Sequence, residues 1–200
     1  YFASFRANWN REIEADLLRR FGLNSAQKAS ALSKGQKTQL ALISAICPEP
    51  DLLVLDEPTS GLDPIVRREF IETVIGAYQS GGTENRTVFV STHLISEFEG
   101  LIDEFTIIEQ GRELLAMRAD DARDRFKKIR VRFRSAPTVS DWTGALQVKQ
   151  NGREAELLAN GNSEELLERL RSHQPEELRC ESLSLEEIFV SSRILAQPTP

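Results

Sequence analysis

The sequence has 200 residues, of which 40% are apolar and 28% charged, and its net charge is -6. This composition is typical of a soluble globular protein with room for one domain, or for one and a fraction. The acidic balance argues against a nucleic-acid-binding surface, which is normally basic. No apolar run approaches the roughly 18 residues that span a bilayer. Cys47 and Cys180 have no metal-ligand spacing and favour a reduced, cytosolic chain.

The first predicted element is a helix over Tyr1–Phe21. Apolar residues recur every four positions from Trp9 to Phe21, with Arg and Glu between them. Gly22 is expected to end this helix. The pattern predicts an amphipathic helix that packs against its own domain.

The next feature is the segment Leu32–Gln36, which reads LSKGQ. Ser33 and Gln36 have the spacing of a capping box at the start of a helix that continues into an apolar run. Free N–H groups and the positive end of the dipole at such a start attract anions. Gly35 leaves room for a phosphate, Ser33 offers a hydroxyl and Lys34 a charge. The alternative is simply a well-capped helix.

A short apolar run, Leu52–Leu55, leads into Asp56 and Glu57, and Pro58 ends it. This pattern predicts a strand buried on both faces of a parallel sheet, with its acids at the ligand-binding edge. Asp56 suits Mg²⁺, a hard cation that takes carboxylate and phosphate oxygens. Glu57 suits deprotonation of a water molecule. The alternative is an acidic loop without a metal.

Asp63 and Pro64 predict the start of a helix that continues to about Gln79, with Asp63 as N-cap. A polar loop over Ser80–Asn85 and a second buried strand over Thr87–Ser91 follow. His93 comes after that strand, where it could donate a hydrogen bond to developing phosphate charge. A structural role is the alternative for a lone histidine.

A strand over Phe105–Glu109 and a turn at Gly111, with Leu114–Leu115 as the pairing partner, are predicted next. After about Asp120 the sequence predicts a mixture of strands and helices, as in a small α+β appendage. Its predicted elements are a charged helix over Asp120–Lys128, a half-exposed strand over Ile129–Phe133, a hairpin around Asn151–Gly152, a helix over Ser163–Arg171, a strand over Leu178–Ser182 and a last helix over Ser184–Ile194.

Four blocks, LSKGQ, LLVLDE, SGLD and STH, occur in this order and at these distances, and together they resemble the ATPase domain of ABC transporters. In that family they are the signature motif, Walker B, the D-loop and the switch histidine. The resemblance implies an α/β fold, a partial P-loop NTPase with a helical subdomain and a parallel-sheet core. It places this ATPase portion at residues 1–122 and a small α+β accessory extension at 123–200, whose ending SLSLEEIFV resembles exporter-type ATPases.

The resemblance also implies functional residues. Asp56 would bind Mg²⁺, Glu57 would act as general base and His93 would contact the γ-phosphate of ATP. The signature residues and the D-loop aspartate would reach ATP held by a second ABC ATPase subunit, in a homo- or heterodimer; these residues are Ser33, Lys34, Gly35, Gln36 and Asp63. A transmembrane permease subunit would be the other partner, at the inner face of the cell membrane, and no nucleic acid is expected.

The chain departs from the family pattern at several points. Lys34 stands where the family usually has Gly, and Gln39 where Arg is common. No GxxxxGKS or GxxxxGKT segment, which cradles nucleotide phosphates, occurs in the 200 residues. We therefore expect the chain to be the carboxyl-terminal portion of an ATPase, with roughly a hundred residues before it. Alone, it is expected neither to bind ATP tightly nor to hydrolyse it.

Two further interpretations remain open from the sequence. The carboxyl half of a chromosome-structure or DNA-repair ABC-type ATPase also combines a signature with a Walker B and no P-loop, but long coiled coils precede it. A non-catalytic interaction module would keep the fold without binding nucleotide, although Asp56, Glu57 and His93 are all present.

Overall fold

The computed structural model describes residues 2–79, 86–135, 137 and 142–195. The chain divides into two compact units, Tyr1–His93 and Leu94–Pro200. The division at His93 precedes the boundary after residue 122 that the sequence predicts between an ATPase portion and an extension. The predicted boundary marks the end of a family domain, whereas the division at His93 separates compact units. The predicted boundary therefore stays a prediction.

Among its described residues, the first unit contains three α-helices and two strands. In chain order these are α1 (Arg11–Arg20), α2 (Lys34–Ile46), β1 (Leu52–Asp56), α3 (Pro64–Gln79) and β2 (Thr87–Ser91), with short 3₁₀ turns at Phe2–Phe5 and Ala29–Ala31. The predicted loop at Ser80–Asn85 lies outside the described residues.

Helix α1 begins later than the sequence periodicity predicts. The side chain of Asn10 accepts hydrogen bonds from the backbone N–H groups of Glu12 and Ile13, both at 3.0 Å, and so caps the helix at that point. Trp9 lies outside the helix and still packs against the core. The prediction of a helix from Tyr1 was therefore wrong, because apolar spacing continues through an N-cap that ends the helical backbone.

Strands β1 and β2 pair in parallel, and the three helices form a core with only one face of β1. Leu53 is 3% exposed on that face, whereas Leu52 and Val54 are 56% and 61% exposed on the other. Burial of β1 on both faces was therefore a wrong prediction for the described part of the chain, and so was the buried character of β2, where Phe89 is 58% exposed. The apolar run places apolar side chains on both faces of β1, but among the described residues helices pack against only one of these faces.

The second unit contains four helices and six strands among its described residues. They are α4 (Ile95–Phe98), β3 (Glu104–Glu109), β4 (Arg112–Arg118), α5 (Ala119–Arg125), β5 (Phe126–Arg132), β6 (Gln147–Asn151), β7 (Glu154–Asn160), α6 (Ser163–Ser172), β8 (Glu177–Ser182) and α7 (Leu185–Leu195). This mixture confirms the predicted α/β character of the chain.

In this unit β3 and β4 form an antiparallel hairpin, and the order β6-β7-β5-β8 forms a four-stranded antiparallel sheet. Helix α6 packs its leucines against one face of that sheet. Helix α5 ends at Arg125, so the predicted helix over Asp120–Lys128 was too long. The buried Phe126 starts β5 instead, because it joins the ladder with β7 and its carbonyl oxygen accepts from the Leu183 N–H at 3.0 Å.

No helix within the described ranges is both long and apolar enough to cross a membrane.

Candidate functional site

The carboxyl ends of β1 and β2 bring the predicted acidic site together. The parallel register pairs Asp56 with Ser91, the last residues of the two strands. The Ser91 hydroxyl donates a short hydrogen bond to Asp56 Oδ1. Parallel strands end at the same edge of a sheet, where ligands bind in open α/β folds. Ser91 is a site residue that the sequence reasoning did not assign, although its place at the end of the second strand was a usable signal.

Glu57 follows Asp56 in a left-handed backbone conformation, with φ at +44°. Its N–H donates to the carbonyl oxygen of Ser91 at 2.8 Å, which extends the strand pairing by one residue. The left-handed conformation is costly for a residue other than glycine, and such strain concentrates at functional sites. Here it turns the Glu57 side chain out of the strand direction and toward the residues that follow β2.

His93 holds the Glu57 carboxylate at two points. The His93 N–H donates to Oε1 at 3.0 Å, and Nδ1 lies 2.8 Å from both carboxylate oxygens. The bond from Nδ1 requires the proton on that nitrogen, which leaves Nε2 facing away from Glu57. The side chains of His93 and Glu57 are 67% and 40% exposed. The pair therefore meets solvent while its geometry is fixed.

The residues at this edge suit a magnesium ion by chemistry. The Asp56 carboxylate and the Ser91 hydroxyl are hard oxygen donors, and Mg²⁺ in nucleotide sites takes one or two protein oxygens with phosphate oxygens and water. Within the described part of the chain, no group of three or more His, Cys, Asp or Glu side chains could hold a metal ion. Asp56 and Ser91 would hold the ion only together with phosphate and water oxygens, and the metal role of Asp56 stays a prediction.

The segment LSKGQ forms the predicted helix start. Ser33 Oγ accepts from the Gln36 N–H at 3.2 Å, and Gln36 Oε1 accepts from the Ser33 N–H at 3.0 Å, so the capping box is confirmed. Ser33 and Lys34 are exposed at the first turn of α2. The Ser33 hydroxyl hydrogen remains free to donate, because its oxygen is the acceptor in the cap.

The start of α2 lies beside the loop that leads into α3. A Cβ on Gly35 would lie 3.5 Å from Val66 Cγ1 and 3.9 Å from Leu62 Cδ2. The Lys34 ammonium covers Gly61 so closely that a side chain there would overlap it. Gly61 also has φ at +68°, a conformation that favours glycine. The sequence did not reveal this adjacency.

Asp63 occupies the N-cap of α3, as predicted. Its Oδ1 accepts from the N–H groups of Ile65 and Val66, both at 3.1 Å. Gln39, which departs from the family pattern, is buried, and its Nε2 lies 3.4 Å from Glu69 Oε2 on α3. The structure therefore gives Gln39 a role in holding α2 against α3.

The predicted residues thus fall into two clusters of the first unit. The strand-edge cluster consists of Asp56, Glu57, Ser91 and His93. The helix-start cluster consists of Ser33–Gln36 with the Gly61–Asp63 loop. The segment from Glu57 to Gly61 joins them, and the Ser60 N–H donates to the Glu57 carbonyl oxygen at 3.1 Å within it.

Comparison with known proteins gives this geometry a family context. Residues 20–99 match the family described as "AAA domain, putative AbiEii toxin, Type IV TA system". The Nod factor export ATP-binding protein I of Burkholderia orbicola is 40% identical over 87 residues, which are 44% of this chain and 27% of that protein. The uncharacterized ABC transporter ATP-binding protein YdbJ of Bacillus subtilis is 27% identical over 96% of this chain and 64% of that protein.

A solved structure of the ATP-binding subunit of an ABC transporter is 27% identical to this chain, with a TM-score of 0.49 over 57% of this chain and 49% of that one. The chain covers less than two thirds of the length of each of these proteins. The relatives agree with the resemblance that the four sequence blocks carry. The chain is thus homologous, over part of their length, to the ATP-binding proteins of ABC transporters.

Proposed function

We propose that this chain is part of the ATP-hydrolysing subunit of an ABC transporter, which powers a membrane permease. The observation that carries the proposal is the strand-edge cluster, in which β1 and β2 bring Asp56, Glu57 and His93 to one edge. The homology to transporter ATP-binding proteins supports the same reaction class. It also favours a transporter over a chromosome-structure or DNA-repair ATPase.

In this proposal three residues of the strand-edge cluster, Asp56, Glu57 and His93, have distinct roles. Asp56 supplies a carboxylate oxygen to Mg²⁺, whose chemistry is to neutralise phosphate charge. Glu57 accepts a proton from the attacking water as general base. His93 orients the Glu57 carboxylate through its N–H and Nδ1. Its Nε2, on the ring edge away from Glu57, would donate to a phosphate oxygen in the doubly protonated imidazolium form.

The helix-start cluster serves the other side of the nucleotide. Ser33, Lys34 and Gly35 would face ATP held by a second ATPase subunit, with Gln36 fixing the cap and Asp63 the loop beside it. The cap leaves the Ser33 hydroxyl hydrogen available, and Lys34 adds a cation at the same turn. The subunit would lie in the cytoplasm, peripheral to the membrane through its permease.

The division into an ATPase portion at residues 1–122 and an accessory extension at 123–200 is part of the proposal. The sequence has no GxxxxGKS or GxxxxGKT segment, so these residues supply the acids and the signature but not that phosphate cradle. We therefore expect no measurable ATP hydrolysis from the 200-residue chain alone.

The test is steady-state ATPase activity of the gene product that contains these residues, reconstituted with its permease. Glu57→Gln keeps the shape of the side chain but removes the base, so turnover should fall by about 10²–10⁴-fold. Glu72→Gln is the matched control, because Glu72 lies on the exposed side of α3 with Arg68. Unchanged turnover in Glu57→Gln would exclude the proposed base. If the 200-residue chain alone hydrolysed ATP, and Glu57→Gln abolished that turnover, the expectation that the chain is inactive by itself would be refuted.

A further inference from the structure

The outer strand of the four-stranded sheet, β8, has an edge with a defined hydrogen-bonding pattern. The Leu183 N–H donates to the Phe126 carbonyl oxygen at 3.0 Å, in the same register that pairs Arg130 with Arg179. Hydrogen-bonded positions alternate along an antiparallel pair. The odd-numbered residues of β8 therefore bond to β5, and the backbone groups of Leu178, Cys180 and Ser182 point away from it.

The other side of β5 supports this alternation independently. The Gly161 N–H donates to the Arg125 carbonyl oxygen at 2.8 Å, and the Phe133 N–H donates to the Arg153 carbonyl oxygen at 2.9 Å. Odd-numbered residues of β5 thus bond toward β7, which leaves its even-numbered residues for β8. Among the described residues, β8 is the end of the sheet order and has β5 as its one strand partner.

The side chains of β8 carry a charge pattern on one face of the sheet. The register places Arg179 and Glu181 beside Arg130 and Lys128, on the face opposite the α6 leucines. Cys180 lies on the other face, opposite the buried Ile129, and is itself exposed because it belongs to the edge strand.

This pattern discriminates between the ways in which two β8 edges could pair. Two-fold antiparallel pairing centred on Arg179 sets arginine against arginine, and pairing centred on Glu181 sets glutamate against glutamate. Centring on Cys180 sets Arg179 of each copy opposite Glu181 of the other, twice, and in this register Leu178, Cys180 and Ser182 use their outward backbone groups. Centring on Leu178 would set Arg179 opposite Glu177, but it would need an outward N–H at Glu176, and that N–H donates to the Arg132 carbonyl oxygen at 2.8 Å. Parallel pairing would place each charge beside its own copy.

We propose that two copies of this chain associate through their β8 edges, antiparallel and with Cys180 on the two-fold axis. The two four-stranded sheets then continue as one across the interface. Directly opposite residues of opposite charge stabilise such pairs, and like charges destabilise them. The interface of one short strand is small, so the dimer is expected to form and dissociate with concentration. This inference does not rest on the proposed ATPase function.

The first test is the mass of the 200-residue chain by light scattering over a concentration series, with charge-exchange variants. Arg179→Glu converts two opposite-charge pairs into two like-charge pairs, and Glu181→Arg does the same from the other side. Each single variant should dimerise about tenfold more weakly. The double variant restores opposite charges and should recover the dimer. Lys149→Glu is the control, because Lys149 is an exposed residue of β6 at the opposite edge.

The second test uses Cys180 as a probe of the two-fold axis. Hydrogen-bonded antiparallel partners have Cα atoms about 5.5 Å apart, which is within the range of a disulfide. Mild oxidation should therefore yield a covalent dimer that Cys180→Ser abolishes, whereas the buried Cys47 should not contribute.

The outcomes separate the proposal from its alternatives. A dimer that weakens in both single variants and returns in the double variant supports the pairing. A monomer at all concentrations, or a dimer indifferent to both reversals, would overturn it. Circular dichroism would reveal a folding defect in a single variant. In that case the double variant, which restores the opposite charges, still tests the pairing, because it should dimerise like the unmodified chain.

Discussion

The left-handed backbone of Glu57 leads to a sharp prediction for stability. Glu57→Gly and Glu57→Ala both remove the carboxylate and its bonds to His93, so their difference isolates the backbone. A left-handed conformation costs an L-residue roughly 1–2 kcal/mol. Glycine also has more conformational freedom in the unfolded chain, which offsets about 0.4–1 kcal/mol of that gain in stability. Glu57→Gly should therefore be more stable than Glu57→Ala, by about 1 kcal/mol.

The assay is urea unfolding followed by tryptophan fluorescence. Trp142 packs in the second unit, so a Trp142→Phe background leaves Trp9, which contacts the core of the first unit, as the reporter. With a slope of about 2 kcal/mol/M, the two midpoints should differ by about 0.5 M.

The matched control is the neighbouring strand residue, Asp56. Its backbone is that of an ordinary strand, so Asp56→Gly should be less stable than Asp56→Ala by about 0.5–1 kcal/mol. Glycine should therefore be the more stable replacement at Glu57 and the less stable one, relative to alanine, at the adjacent Asp56. Glycine being the less stable replacement at both Asp56 and Glu57 would show that the Glu57 backbone stores no strain.

Three further predictions concern the caps, the pH dependence and the thiols. Ser33→Ala should destabilise the first unit by about 1 kcal/mol in urea unfolding, whereas Ser33→Asp, which can still cap, should not. Burial raises the pKa of Glu187, but its hydrogen bonds with Lys128 and Ser184 together lower the pKa by more, so that it lies below its ordinary value. This lowered pKa stabilises the folded chain above the pKa that Glu187 has when unfolded, and the stabilisation is lost as pH falls through the folded-state pKa. The loss should be under about 1 kcal/mol for this part-exposed pair. In urea unfolding at a series of pH values, Glu187→Gln should lack this acid-dependent loss of stability. Burial raises the pKa of Cys47 to about 11, so a thiol reagent at pH 8 should label Cys180 alone until the chain unfolds.

The local signals in the sequence predicted the helix starts well. Ser33 and Gln36 form their capping box, and Asp63 caps α3 with Pro64 following it. These features depend on residues within one turn of each other, so the chain segment alone determines them. The same local reasoning failed for α1, because apolar spacing cannot distinguish the helix from the residues that precede its cap at Asn10.

Nonlocal pairing decided what the local patterns could not. Helix α5 stops before Phe126, because that residue pairs with Asn160 of β7 and its carbonyl oxygen accepts from the Leu183 N–H, and both partners lie far along the chain. The exposed face of β1 likewise depends on which elements cover the sheet and not on the apolar run itself. Contacts of this kind have no signature in a short window of sequence.

The sequence by itself determined the chemistry of the candidate site: an acidic pair after an apolar strand, a capped helix start and a histidine after a second strand. Only the tertiary structure decided that His93 fixes the Glu57 carboxylate, that Ser91 bonds to Asp56 and that Lys34 covers Gly61. The reason is physical. Side-chain identity is written in the chain, whereas the register of β1 on β2 and the packing of α2 beside α3 arise from contacts between residues distant in sequence.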